Sequence, residues 1–120
     1  MIHQRHELTL PHAERTYRVL DEVAAERARQ HLLLQSGAIT FDCADPAIDF
    51  RRKFPVLVEE VGEVAQILQN DLPPDSLAAQ LLLNSLREEL LQVAAVAVAM
   101  AESLTHDRSG ALASAANSTS

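Results

Sequence analysis

Residues 50–70 read FRRKFPVLVEEVGEVAQILQN, and the fold turns on how this stretch is taken. Phe50, Phe54, Leu57, Val61, Val64 and Leu68 recur four and three residues apart, the periodicity of a helix packed on a core. A second stripe, Lys53, Val56, Glu60, Glu63 and Ile67, runs one residue earlier in register. Its two carboxylates therefore sit at the edge of the apolar face rather than opposite it. Glu60 and Glu63 lie roughly 4.5 Å apart along the axis and point the same way. Two such charges near a core repel each other, and a divalent cation is the simplest remedy.

Working outward, Asp45-Pro46 predicts the start of this helix, with Asp45 as cap and Pro46 in the first turn. Pro55 lies inside it and removes one backbone donor. Upstream, residues 38–45, AITFDCAD, have no second strand to pair with, and are expected to form a loop that packs Ile39 and Phe41 onto the helices. Before that, His12 to about Gln35 favours a helix with Tyr17, Leu20, Val23 and Ala24 on its apolar face, ended by Ser36-Gly37. Residues 1 to about 11 read as a loose arm.

Downstream, Asn70 to Asp75 forms a turn with two prolines. Asp75 or Ser76 then caps a last helix expected to reach about Thr105. Its segment LLQVAAVAVAMA, residues 90–101, has Gln92 as its one polar residue. A helix apolar on every side is surrounded by protein, and three helices of this size do not cover it. The expected architecture is therefore all-α: an antiparallel helical bundle of three to four helices, completed by oligomerisation as a dimer or tetramer. It occupies residues 1–106 as one domain, followed by a disordered tail over 107–120.

Composition narrows the function. Aromatic residues make up only 3% of the chain, so the core is built from Leu, Val, Ile and Ala, which suits helices. The net charge is -7, with no long basic run, which argues against nucleic-acid polymers as partners. The longest apolar run is too short for a bilayer, so no membrane partner is expected. The single Cys43 allows no intrachain disulfide. Together with the absence of a signal-like N-terminus, this predicts a cytoplasmic protein.

On the last helix, Glu89 and Gln92 repeat the three-residue spacing of Glu60 and Glu63. If the two helices form a hairpin turning near residues 71–78, Glu60 and Glu89 each stand eleven residues from the turn. At ~1.5 Å per residue, that puts both at roughly 16 Å and at similar height. Oxygen donors on two helices, with room for water, suit Mg2+, with Mn2+ possible, better than zinc.

These residues carry a resemblance. LVEEVGEVAQIL (57–68) and LREELLQVAAVAVAMAESL (86–104) resemble the two signature helices of the MazG-like nucleoside triphosphate pyrophosphohydrolases. That pattern is Glu-Glu-x-x-Glu on one helix and Glu-x-x-Asp on the next. Glu59, Glu60 and Glu63 match the first half and Glu89 opens the second, with Gln92 where the pattern has Asp. ERTYRVLDEVAAERARQ (14–30) resembles the family's first helix, so the likeness spans residues 14–105.

The resemblance implies an oligomeric all-helical enzyme that cleaves a (d)NTP to its monophosphate and pyrophosphate. It implies metal ligation by Glu60, Glu63, Glu89 and Gln92, and catalytic roles for Glu59 and Glu60, with Glu59 orienting or deprotonating water. From position alone, Lys53 and Arg87 are expected near the substrate phosphates. The competing expectation is a non-catalytic helical oligomerisation or nucleotide-binding module of the same fold. In that case the acids form a solvated face and Gln92 a buried contact that fixes helix register.

Overall fold

The computed structural model describes residues 11–71 and 74–118, with side chains described as far as Thr105. Of the expected N-terminal arm, residues 1–10 lie outside the described residues. The expected loose tail over 107–120 is not seen as such: the last helix, expected to end at about Thr105, continues to Ser118. Three helices follow in order: α1 (His12–Ser36), α2 (Phe50–Leu68) and α3 (Leu77–Ser118). There is no strand among the described residues.

Each helix end has a local cause. Gly37 adopts φ +82°, and its N–H and that of Ala38 bond back to the carbonyls of Leu34 and Leu33, closing α1 where the sequence predicts it. The start of α2 differs from expectation. The Asp45 carboxylate accepts from the Ala47 N–H at 2.9 Å, and its carbonyl from the Ile48 N–H, so Asp45-Pro46 makes a turn rather than a helix start. The chain extends at Asp49, whose side chain caps the Arg51 N–H at 2.8 Å, and α2 begins at Phe50. Asp-Pro serves a turn as well as a cap, which is why the sequence signal misplaces the boundary. At α3, Ser76 is the cap, its hydroxyl accepting from the Ala79 N–H.

The organising helix is α3, not α2. Both α1 and α2 pack on α3, and their backbones do not approach one another. Glu60 of α2 meets Glu89 of α3, while Val56 and Leu57 pack against the cluster of Val96, Ala99 and Met100, so α2 and α3 run in opposite directions. On the other side, Glu22 bonds Arg87 and Arg27 bonds Glu102, so α1 runs the same way as α3. The loop between α1 and α2 fills the gap. Its Cys43 is buried in that cluster, and Phe41 and Ala44 pack against it. Arg52 stacks over the Phe41 ring, 4.8 Å from its centroid.

The helix faces are rotated from expectation. On α2, the inward stripe is Lys53, Val56, Leu57, Glu60, Glu63, Val64 and Ile67. The apolar stripe is left largely outside, with Phe54 56% and Leu68 64% exposed. On α3, Ala95, Val96, Ala99, Met100 and Ser103 are buried, whereas Leu90 and Leu104 are about half exposed. On α1, Val23 is buried and Leu20 is not. The chain thus turns its acid-bearing stripes inward and leaves apolar stripes exposed.

Candidate metal centre

Glu60 and Glu63 stand one turn apart on α2, and Glu89 faces them from α3. Each offers a carboxylate oxygen, and the three oxygens lie within 4.8 Å of one another. Oxygens bound ~2.1 Å from one cation are separated by about 3–4 Å, so small side-chain rotations close this cluster on Mg2+ or Mn2+. All three residues are half-buried. Glu60 and Glu89 each bury one oxygen, Oε2, that accepts no hydrogen bond. A buried acceptor with no donor is costly, and a cation or a shared proton is what satisfies it.

The electrostatics agree. Burial, then the charge of Glu63, pushes Glu60 above the usual carboxylate range. Glu89 is pushed up to about 7 by burial and by its contacts with Glu63 and then Glu60. Burial and the neighbouring carboxylates thus favour a proton on Glu89 towards neutral pH.

Gln92 lies one turn beyond Glu89 and lines a cavity of about 390 Å³ together with Glu60. Glu59 stands on the exposed side of α2 and is not part of the cluster. Neither cation expected near phosphate is among the residues that line the cavity. Lys53 is 1% exposed, with its ammonium 5.6 Å from the centre of the Phe50 ring. Arg87 is engaged by Glu22 of α1, whose carboxyl it holds below the ordinary range.

What α1 contributes to the cavity is only faintly marked in the local sequence. Glu26, Arg29, Gln30 and Leu33 recur at helical spacing and form one wall of the cavity, and Ile39 and Phe41 belong to another. Arg29 pairs with Glu26 at 2.6 Å, remains half exposed, and feels the charge of Glu60. It is the cation nearest in role to the one expected of Lys53. Arg27 ties the loop down: its guanidinium reaches both oxygens of Asp42, at 3.3 and 3.5 Å, and Glu102 of α3 at 3.3 Å. The one available signal is the ERARQ string at 26–30, whose spacing puts Glu26, Arg29 and Gln30 on one face.

No protein-family pattern, curated protein or solved structure matches the chain. No helix among the described residues is long and apolar enough to cross a membrane.

Proposed function

We propose that the chain is a magnesium-dependent nucleoside triphosphate pyrophosphohydrolase, cleaving a (d)NTP between its α and β phosphates to give the monophosphate and pyrophosphate. The observation that carries this reading is the meeting of three carboxylates from two antiparallel helices, two with orphaned buried oxygens, beside a cavity large enough for a nucleotide's organic part. The likeness of residues 57–68 and 86–104 to the MazG-like signature helices supports it, and membership of that family is part of the proposal.

Glu60, Glu63 and Glu89 hold the cation, Mg2+ or Mn2+, with the Gln92 amide adjoining. A cation held by these residues would offset phosphate charge in the transition state and would lower the pKa of a bound water. Gln92 in place of an acid lowers the negative charge of the site by one unit. Glu59, on the solvent side next to Glu60, orients and deprotonates the attacking water. Arg29 at the cavity rim meets a phosphate oxygen, in place of Lys53 and Arg87. The reaction belongs to the cytoplasm, where nucleoside triphosphates are held and a lone thiol such as Cys43 stays reduced.

The exposed apolar stripes favour a further element of this reading: self-association as a dimer or tetramer through α2 and α3. The same stripes are what a non-catalytic oligomerisation module would display, so activity separates the two. Pyrophosphate release is measured across a panel of nucleoside triphosphates, with and without magnesium. An enzyme shows magnesium-dependent release that Glu60→Gln abolishes. A scaffold shows none with any nucleotide.

A further inference from the structure

We propose that the acid cluster holds one divalent cation and no second, and that the Arg29 guanidinium supplies the positive charge that a two-metal site would take from its second ion. This rests on the pyrophosphohydrolase reading and specifies how that site balances the charge of its substrate.

Carboxylate sites that act on phosphates hold either one cation or a pair about 3.5–4 Å apart. A pair needs acids enough for both ions. Here one oxygen from each of Glu60, Glu63 and Glu89 lies within 4.8 Å of the other two, so the three acids converge on a single point. One turn beyond Glu89, Gln92 lines the cavity with an amide, which brings no charge. The cavity has two further acids, Glu26 and Asp42, and an arginine holds each. Both side chains are largely buried, at 15% and 11% exposure. Drawing Asp42 towards a second ion would strand Arg27, itself only 14% exposed, and drawing Glu26 away would release Arg29. No uncommitted acid is therefore left for a second ion among the residues that line the cavity.

The missing charge has one source. Arg29 is the one Lys, Arg or His among the described residues that lines the cavity. Its Nε donates to Glu26 at 2.9 Å and its Nη2 at 2.6 Å, which fixes the plane of the guanidinium. Nη1 has no protein partner among the described residues, and the side chain is half exposed. The charge of Glu60 acts on it, so the guanidinium lies within electrostatic reach of the acid cluster. A guanidinium held in this way offers phosphate oxygens planar donors and needs no ligands of its own. Much of its ordering cost is met before any ligand arrives.

The test counts ions without turnover. Binding of Mn2+ to the full chain is followed by electron paramagnetic resonance, with a nucleoside monophosphate present because it carries no chelating polyphosphate. The wild type should take one Mn2+ per chain, with the spectrum of an isolated ion. Gln92→Asp supplies a fourth acid and should take two, with the spectrum of a coupled pair. Arg29→Ala should still take one ion, as tightly as the wild type or more so, yet should bind inorganic tripolyphosphate with Mn2+ about tenfold more weakly. A folding defect would instead weaken both. A coupled pair in the wild type overturns the inference and leaves the hydrolase reading intact. A single ion in Gln92→Asp overturns the part assigned to Gln92, and unchanged tripolyphosphate binding in Arg29→Ala overturns the part assigned to Arg29. If the wild type takes no Mn2+, the hydrolase reading falls together with the inference. Should a variant fail to fold, the wild-type count decides.

Discussion

Glu60 on α2 and Glu89 on α3 each bury an Oε2 atom that no hydrogen-bond donor reaches, and both belong to one cluster of carboxylate oxygens. Two acids placed in this way act against folding unless a third party sits between them. The cluster therefore carries a stability signature that an ordinary salt-bridged core lacks.

The first consequence concerns amide substitution. Glu89→Gln removes one charge and supplies a donor to the remaining acids, so the metal-free protein should gain stability, by about 1 kcal/mol. Magnesium should raise the melting temperature of the wild type by mass action, and the same change should abolish that rise. Thermal melts of both proteins, with and without magnesium, check the two effects at once.

A second consequence is a pH dependence of defined sign. Glu60 and Glu89 titrate above the ordinary value of 4.5 in the folded chain, Glu89 up to about 7. The folded state therefore binds more protons than the unfolded state between those limits. The stability these protons lend the metal-free chain should be fully present below about pH 4.5 and should fall as pH rises towards 7. Magnesium affinity runs the other way, rising over the same interval because the cation must displace a proton. Denaturant melts and metal titrations at pH 5, 6, 7 and 8 read both trends.

Much of this site is legible in the sequence. Equal distance from the interhelical turn brings Glu60 and Glu89 to one height, and that arithmetic needs nothing but the rise of a helix. The end of α1 at Gly37 is equally plain, because a left-handed residue is needed there. The facing of α2 is not. Phe50, Phe54 and Val61 form the stronger apolar stripe, yet the chain turns Lys53, Glu60 and Glu63 inward beside it. Apolar periodicity shows that a face is covered, but not whether the same chain covers it. The loop was readable as a loop, with Phe41 packed inward, but its role as a cavity wall depends on Asp42 meeting Arg27 across fifteen residues, and no local pattern encodes that.

That Arg27–Asp42 contact carries its own prediction. Both side chains are largely buried, at 14% and 11% exposure, so removing one strands the other. Asp42→Ala should cost about 2–4 kcal/mol in chemical denaturation. It should also speed amide exchange in residues 38–45, whereas breaking an exposed ion pair such as Arg87–Glu22 should cost far less.

The uncovered stripe on α2 predicts the assembly. A charge placed at Phe54 or Val61 should shift the protein to smaller species in sedimentation while leaving the helical signal unchanged. If wild type and Phe54→Glu sediment alike as monomers, the apolar stripe is not an association surface between copies of this chain.

The central claim is that a cation belongs between α2 and α3. Anomalous diffraction from crystals grown with Mn2+ and a non-hydrolysable nucleotide tests it most directly. The account predicts a strong peak bounded by the carboxylates of Glu60, Glu63 and Glu89, with the triphosphate against it. A map with no peak there, or with manganese bound only elsewhere on the surface, would contradict it.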